Sequence, residues 1–357
     1  MKRFYFIVFI ALFFISCKEN SEKIIGIKIY DYAGDYEKLA SEWEEMGINT
    51  AFVSTTLAAD KDFREALKSR DISVFIIFPV FFNPEMLRTD STLYAITNTG
   101  ARASEEWVKF VCPSRKLYRD GIKDQLSAFI SSLDPDGVSI DFIRQFVYWE
   151  KIYADRDYST IERSCYCDSC IEGFYVKTGA KIPGSFLTTS EKANWIEQNY
   201  QSEWDTYRCD LITSMVKELY EESHRIKTDI LVNVHVVPWR SDDYNNGKIR
   251  IAGQDLVAMS AYTDFVSPMC YSQMLGRDAE WISDVVSDMN NSVSGKVLPS
   301  IQVYPYYIEK SFTTQDFKRC VEESLKPPSR GVVFFSWPLF EKDSTRMKVV
   351  SDVNEQF

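Results

Sequence analysis

Three cysteines lie close together in the segment RSCYCDSCIEGF, which runs from Arg163 to Phe174. They are Cys165, Cys167 and Cys170, and the spacing C-x-C-x2-C lets three thiolates converge on one tetrahedral zinc ion with a fourth ligand. Disulfide geometry is hard to reach between the two cysteines of a C-x-C pair. The spacing therefore favours structural zinc over its two alternatives, a disulfide within the triplet or free thiols.

A carboxylate at the end of an apolar run is the second group with a capacity for chemistry, in the segment DPDGVSIDFIRQF. If this run is a β-strand, alternation turns Ser139 and Asp141 toward one face. A desolvated carboxylate near Arg144 can act as a nucleophile, as an acid or base, or as an acceptor for sugar hydroxyl groups. The simpler alternative is that Asp141 pairs with Arg144 and orders the loop.

Short apolar runs, each followed by an amphipathic helical pattern, are the elements that would position these groups. Their continuous hydrophobicity is typical of strands that are covered on both faces. The eight runs are Ile24–Tyr30, Ile48–Ser54, Ile72–Val80, Gly137–Ile143, Ile230–Val237, Phe265–Tyr271, Val297–Tyr304 and Gly331–Pro338. They predict an α/β fold, a (β/α)8 TIM barrel with an enlarged insertion in the loop after the fourth strand. An open doubly wound sheet is the alternative, but it would more often carry a glycine-rich turn after the first strand.

The barrel prediction also supplies a fourth ligand for the cysteine triplet. Cys112 ends the segment after the third strand, on the same barrel face as the insertion. With four protein ligands the metal would have no open position, so its role would be structural. Three other cysteines, Cys209, Cys270 and Cys320, are expected to be small buried apolar residues.

Polar and aromatic residues near the other strand ends are candidates for a pocket around Asp141, because chemistry in such barrels gathers at the C-terminal ends of the strands. Amides and phenols there would bind hydroxyl groups of a polyol, and aromatic rings would stack on its C–H faces. His235 has an alternative as a satisfied core residue. The expected substrate contacts are Arg144, Asn233, His235, Trp239, Tyr271, Gln302 and Trp337.

Three segments resemble glycosyl-hydrolase-like family 10 proteins and related glycoside hydrolase barrels. DGVSIDFIR is similar to their DGI(H)xDYIR segment, and VSPMCY is similar to the end of their sixth strand. The stretch from Phe110 to Leu126 resembles the segment that opens a helix before their aspartate strand. The resemblance implies hydrolysis of glycosidic bonds, with Asp141 as a catalytic residue that Arg144 orients.

Hydrolysis of this kind usually needs two carboxyl groups. We expect the second to be Asp31, after the first strand, or Asp278, after the sixth strand. Asp205 and Glu280 are further candidates. The stereochemical outcome, retaining or inverting, stays open.

The cysteine pattern C…C-x-C-x2-C resembles the zinc site of family 42 glycoside hydrolases, which are beta-galactosidases and also barrels. The catalytic Asn-Glu pair of that family is absent here, because the fourth strand reads SIDFIR. This resemblance therefore implies a structural zinc ion bound by Cys112 and the triplet, and no particular substrate.

The N-terminus, MKRFYFIVFIALFFISCKEN, has a positive start and an apolar run that is too short to span a bilayer but suits a signal peptide. The FISC at its end resembles the lipobox of bacterial lipoproteins, which implies lipidation of Cys17. We expect a signal peptide over residues 1–16, a lipidated tether over 17–23 and one barrel domain over 24–357. The protein would then be held by its lipid alone at the outer membrane, in the periplasm or at the cell surface.

Composition narrows the classes of partner. The 357 residues carry a net charge of −11, which argues against nucleic acid, whose phosphates need clusters of Lys and Arg. The sequence contains neither the G-x-S-x-G motif nor the H-E-x-x-H motif that would indicate another kind of hydrolase. No organic cofactor is expected. The leading hypothesis is a glycoside hydrolase that acts on an oligo- or polysaccharide outside the cytoplasm. The alternative is a non-catalytic barrel lipoprotein that binds glycans.

Overall fold

Eight parallel strands form the centre of the molecule. The computed structural model describes residues 23–186 and 188–354. The barrel strands are β1 (Ile24–Ile29), β2 (Thr50–Ser54), β3 (Ser73–Pro79), β4 (Gly137–Asp141), β5 (Leu231–Val236), β6 (Phe265–Pro268), β7 (Ser300–Gln302) and β8 (Gly331–Phe335). Each lies within one of the predicted apolar runs.

The strands are arranged around a ring, which confirms the prediction of a (β/α)8 barrel. Hydrogen-bonded neighbours follow the order β6-β5-β4-β3-β2-β1-β8-β7. Isolated parallel bridges, from Val266 to Val297 and from Met269 to Ser300, join the two ends of this order.

Helices alternate with the strands and cover the outside of the barrel. In α1, for example, the side chain of Asp35 accepts a hydrogen bond from the N–H of Lys38 at the helix start, and Leu39 and Trp43 are buried against the barrel. The α-helices are α1 (Tyr36–Glu45), α2 (Thr55–Ala58), α3 (Lys61–Lys68), α4 (Pro84–Thr89), α5 (Lys116–Leu133), α6 (Asp168–Thr178), α7 (Thr189–Asn199), α8 (Gln201–Ile226), α9 (Gly247–Arg250), α10 (Leu256–Met259), α11 (Glu280–Val293), α12 (Thr314–Leu325), α13 (Trp337–Phe340) and α14 (Ser344–Asn354).

The lower half of the barrel interior is filled by aromatic rings. A Cβ atom on Gly137 would lie 2.3 Å from the ring of Phe75, and one on Gly26 would lie 2.7 Å from the ring of Phe52. The centres of the Phe52 and Phe75 rings are 5.1 Å apart. Only glycine leaves room for these rings, so the lower interior is closed and any site must lie in the upper half.

Two long loops rise above the C-terminal ends of β3 and β4. The loop after β3 carries a small hairpin, Ser104–Glu105 with Val108–Lys109. The loop after β4 is the predicted insertion and contains α6 and α7. The two loops are joined by a bridge from Thr97 to Ser164 and by a hydrogen bond from the N–H of Tyr166 to the carbonyl of Ile96.

The predictions for the N-terminal segment, a signal peptide and a lipidated Cys17, lie outside the described residues. Across the part of the chain that the structure describes, no helix combines the length and the apolar character needed to cross a membrane.

Candidate functional site

A hydrogen-bonded polar layer crosses the barrel directly above the aromatic floor. Asn233 of β5 donates to the hydroxyl of Ser139 at 2.9 Å and accepts a 2.7 Å bond from Ser267 of β6. The hydroxyl of Ser139 also lies 2.9 Å from Nε2 of His235. Burial, together with the charge of Lys28, lowers the pKa of His235 to about 3, so its imidazole is neutral. Asn233 is fully engaged in this layer, whereas Nδ1 of His235 has no hydrogen-bond partner among the described residues.

Lys28 of β1 lies inside the barrel and is 1% exposed. Its ammonium group is 5.7 Å from the centre of the Phe335 ring. Burial lowers the pKa of Lys28 to about 8, against the attraction of Asp141, which raises it. Lys28 was not among the predicted site residues, although it is the only charged residue in the first apolar run.

Asp141 lies at the C-terminal end of β4 and is half-buried. One carboxylate oxygen accepts a 2.7 Å hydrogen bond from the N–H of Phe142. The negative charge of Asp141 acts on the pKa of groups from four parts of the barrel, which are β1, the loop after β4, β5 and the end of β6. These groups belong to Lys28, Tyr30, Arg144, Glu150, His235 and Tyr271.

Glu150 is a second carboxyl group in the mouth and was not among the predicted site residues. It lies in a 3-10 turn, Trp149–Lys151, in the loop after β4 and is 8% exposed. Burial raises its pKa to about 7; Arg144 opposes this shift and the charge of Asp141 adds to it. Its Oε2 atom is buried and has no hydrogen-bond partner among the described residues. Glu150 is therefore mostly protonated below pH 7.

Arg144 is buried between aromatic rings instead of pairing closely with Asp141. Its guanidinium lies 4.7 Å from the centre of the Phe110 ring and 5.4 Å from that of Phe142. Within the described residues no nitrogen of Arg144 comes within 4.0 Å of a carboxylate of Asp141, so the loop-ordering ion pair is not formed. Among the described residues its Nη1 atom is buried without a partner, and the charges of Glu150 and Asp141 both act on the pKa of the guanidinium.

Tyr271 forms an aromatic wall of the mouth. Its ring stacks on Phe335 at 5.1 Å and packs against Trp149 at 5.7 Å. Burial raises the pKa of Tyr271 far above its usual range, and the charges of Tyr30, Asp141 and Glu150 add to the shift. Tyr30 is 40% exposed as a whole, but desolvation of its hydroxyl and the charge of Asp141 raise its pKa as well. Both phenols therefore remain protonated donors.

Three predicted substrate contacts, Trp337, Trp239 and Gln302, are buried and contact other residues of the protein. Trp337 is buried edge-to-face against Trp43 of α1, with ring centres 5.5 Å apart. Trp239 is buried against Tyr244, with ring centres 5.0 Å apart. The amide of Gln302 donates to Gln273 and to the carbonyl of Tyr304, and it accepts from the N–H of Met274. These residues build the walls and loops around the mouth.

The two aspartates expected as the second carboxylate are exposed. Asp31 follows β1 at the rim. Asp278 accepts a 3.1 Å hydrogen bond from the N–H of Trp281 in the first turn of α11. Neither is among the groups that act on the buried residues of the mouth, whereas Glu150 is. Glu150 is therefore the carboxyl group of the mouth on whose pKa the charge of Asp141 acts.

The four predicted cysteines form a cluster that could hold a metal ion. The sulfur atoms of Cys112, Cys165, Cys167 and Cys170 all lie within 4.8 Å of one another and are buried. Cys112 is 3.4 Å from both Cys167 and Cys170. Tetrahedral zinc–sulfur bonds of about 2.3 Å place sulfur atoms about 3.8 Å apart, so the observed spacing fits such an ion.

The other described cysteines are also free thiols. Cys209, Cys270 and Cys320 are buried, as expected for small apolar side chains, and none of the seven described cysteines forms a disulfide. Within the described residues, the alternative of a disulfide in the triplet is therefore not seen.

Several solved structures with the same barrel architecture as this chain are glycoside hydrolases. The PgaB (BpsB) glycoside hydrolase domain from Bordetella bronchiseptica matches with a TM-score of 0.69 and 12% identity, over 93% of this chain and 98% of that domain. A beta-galactosidase from the psychrophilic Marinomonas ef1 matches with a TM-score of 0.65 and 10% identity, over 93% of this chain and 59% of the enzyme. Gan42B, a GH42 beta-galactosidase from G. stearothermophilus, matches with a TM-score of 0.59 and 12% identity, over 92% of this chain and 56% of that enzyme.

These likenesses show a shared barrel fold. The chain spans little more than half the length of the two beta-galactosidases. No protein-family model matches the sequence, and a search of curated proteins gives no match.

Proposed function

We propose that this protein is a glycoside hydrolase that cleaves glycosidic bonds of an oligo- or polysaccharide, with Asp141 and Glu150 as its two catalytic carboxyl groups. The observation that carries the proposal is their unequal environment in one barrel mouth. Glu150 is desolvated and its pKa is raised to about 7, whereas Asp141 is half-buried and faces the positive charge of Lys28. Such a difference assigns the acid and the base or nucleophile.

In this mechanism Glu150 donates its proton to the oxygen of the glycosidic bond as the bond from that oxygen to the anomeric carbon breaks. Asp141 either attacks the anomeric carbon or removes a proton from the water that does so. Water supplies the hydroxyl group of the released sugar, and its remaining proton restores Glu150 over the full cycle. The distance between the two carboxyl groups on a bound substrate decides between the two routes.

The neighbours of the pair support binding of a polyol. Tyr271 and Tyr30 offer phenol donors, and Tyr271 also offers part of an aromatic wall. Nη1 of Arg144 and Nδ1 of His235 are buried without partners among the described residues. The guanidinium nitrogen is a donor, and the ring nitrogen donates or accepts according to the tautomer of His235. Asn233, Gln302, Trp239 and Trp337 support this pocket from behind.

We also propose that the cysteine cluster binds structural zinc. The donor set of four buried thiols fits zinc by number, by chemistry and by spacing. Because all four ligands come from the protein, the ion would hold the loops after β3 and β4 together and take no part in hydrolysis.

The location proposed for this activity is outside the cytoplasm, on a lipid attached to Cys17. The support is the signal-peptide pattern and the FISC sequence at the N-terminus. Metabolic labelling with a radioactive fatty acid tests it: label should enter the wild type and be absent from Cys17→Ser.

Release of new reducing ends from a panel of oligo- and polysaccharides tests the hydrolase proposal. We expect at least one glycan to be cleaved by the wild type and left intact by Asp141→Asn. Binding of a glycan without cleavage by the wild type would instead identify a non-catalytic glycan-binding barrel. Equal cleavage by wild type and Asp141→Asn would refute the assignment of Asp141.

A further inference from the structure

Two exposed aromatic side chains pack against the buried ring of Tyr148, in the loop that carries Glu150, and have no role in the chemistry described above. Trp107 is 44% exposed and Tyr307 is 48% exposed, although large aromatic side chains are usually buried. Tyr148 lies between them, with ring centres 5.9 Å from Trp107 and 6.2 Å from Tyr307. We call these three residues the aromatic platform.

The platform is built from three separate loops at the C-terminal face of the barrel. Trp107 belongs to the hairpin after β3, Tyr148 to the insertion after β4 and Tyr307 to the loop after β7. Its polar atoms hold the rings in place: the indole N–H of Trp107 donates to the hydroxyl of Tyr148 at 3.0 Å, and that hydroxyl is 3.1 Å from the hydroxyl of Tyr307. Rings fixed in this way lose little entropy when a ligand stacks on them.

The backbone under this surface is held in an unfavourable conformation at three non-glycine residues. Glu106, Phe142 and Tyr307 have φ angles of 50°, 50° and 59°. Each such residue carries a conformational cost, and residues of this kind cluster where function requires a fixed geometry. Here they lie next to Trp107, next to Asp141 and in the platform itself.

The platform is continuous with the catalytic pair. Phe142, which directly follows Asp141, lies 6.2 Å from Trp107 and stacks on Phe82 at 4.6 Å. Tyr148 lies two positions before Glu150 in the same loop. A chain of sugars cleaved between the two carboxyl groups therefore has an aromatic surface available for its next units.

Charged groups and a cavity complete this surface. Lys151 forms an ion pair with Glu106, and its ammonium group lies 5.3 Å from the ring of Tyr148 and 5.6 Å from that of Tyr307. A cavity of about 350 Å³ is lined by Tyr148 of the platform and also by Lys151 and Glu105. Its volume is at the lower end of the range for small-molecule sites.

We infer that the aromatic platform and the adjoining cavity are a second sugar-binding subsite, which takes units of the substrate chain beyond the bond that is cleaved. This inference rests on the proposed function and adds that the substrate is a chain rather than a disaccharide. The flat faces of Trp107 and Tyr307 stack on the C–H faces of sugar rings, and Glu106 and Lys151 bind hydroxyl groups at the edge.

Binding to a printed array of glucose-, galactose- and N-acetylglucosamine-based oligosaccharides, from disaccharide to hexasaccharide, tests the inference. The proteins are Asp141→Asn, which cannot turn over its ligand, and the same variant with Trp107→Ala or Tyr307→Ala. We expect affinity to rise with chain length, and each platform substitution to lower affinity for the longest ligands about tenfold and for disaccharides less. Tyr307→Phe, which keeps the ring, should retain most of the affinity.

Tyr175→Ala is the matched control, because Tyr175 is an equally exposed aromatic residue (41%) on α6. It should leave binding of every chain length unchanged. Loss of binding in Tyr175→Ala equal to that in Trp107→Ala would overturn the inference, as would affinity that is independent of chain length or an array on which nothing binds. Length-dependent binding through Trp107 in a wild type that cleaves no glycan would uphold the subsite and refute the hydrolase.

Discussion

The cysteine cluster and the barrel mouth both use the loop after β4, and their buried polar atoms are arranged in opposite ways. In the cluster, four thiols face one another within 4.8 Å and no position is left for a fifth group. In the mouth, Oε2 of Glu150, Nη1 of Arg144 and Nδ1 of His235 are buried without partners in the described chain. A site closed on itself suits a structural ion, whereas unpaired buried groups around a carboxylate suit a ligand.

The difference between the two regions also indicates how they depend on each other. Cys165, Cys167 and Cys170 lie in the same insertion as Glu150 and Tyr148, and Cys112 lies in the same loop as Trp107. A metal ion at the cluster would fix both loops at their bases. The cluster should therefore affect activity only through the fold, and the mouth should affect activity with little change in the fold.

Asp141→Asn should give the largest effect on the mouth. Turnover should fall by about 10⁴-fold, the upper end of what a positioned acid or base contributes, while glycan affinity is retained. Steady-state kinetics with a cleaved glycan checks kcat, and a binding titration checks affinity. Asp31→Asn and Asp278→Asn are the comparison variants. If either loses as much turnover as Asp141→Asn, that aspartate, and not Glu150, would be the second catalytic carboxyl group.

Glu150→Gln should lower turnover of natural glycans by about 10²–10³-fold, because the leaving oxygen loses its proton donor. An aryl glycoside with a nitrophenol leaving group needs little protonation, so its hydrolysis should fall much less. The ratio of the two losses checks the role as an acid. Equal losses on both substrates would contradict it.

Cys170→Ser should weaken the fold without altering the chemistry. If the cluster holds zinc, elemental analysis finds about one ion per wild-type chain and less in the variant, whose melting temperature should be lower by roughly 10 °C. The control is Cys209→Ser, a buried thiol on α8 outside the cluster, which should keep its metal content. A wild-type protein without bound metal would refute the zinc proposal.

Glu150 should also give a smaller, pH-dependent effect on stability. Its pKa is raised from 4.5 to about 7 in the folded state, so the folded protein binds more protons than the unfolded chain between these values. The free energy of unfolding should then decrease as pH rises from about 4.5 to 7, by up to about 3 kcal/mol. Urea unfolding of the wild type at about pH 4.5 and at about pH 7 measures this difference in the free energy of unfolding.

Glu150→Gln removes the titrating group, so this variant should be more stable than the wild type at pH 8 and similar to it at pH 4. Glu45→Gln, at an exposed position on α1, is the control and should show no pH-dependent gain. A wild type whose stability does not change across the range would contradict the burial of Glu150.

The fold and the cysteine cluster could be predicted because their signals are local. The barrel strands are apolar on both faces, so each appears as a continuous run, and strand alternation alone turns Asp141 inward. Three of the four cysteines lie within one short segment. Lys28 was visible by the same alternation, as a charge in an apolar strand.

The environments of Glu150, Trp337 and Trp107 could not be predicted from the sequence because they depend on distant residues. Glu150 lies in a 3-10 turn that has no strand or helix period, and its burial comes with packing of Trp149 on Tyr271. Trp337 follows a strand end but is buried against Trp43 of α1, a contact that no local pattern reports. Trp107 became notable only when its exposure was known.

The pH dependence of kcat/KM for an unactivated oligosaccharide tests the central claim, that Asp141 and Glu150 are the catalytic pair, most directly. We expect kcat/KM of the wild type to fall as pH rises through about 7, where Glu150 loses its proton, and Glu150→Gln to lack this decrease. The same decrease in Glu150→Gln, or a wild-type profile that is flat through pH 7, would contradict it.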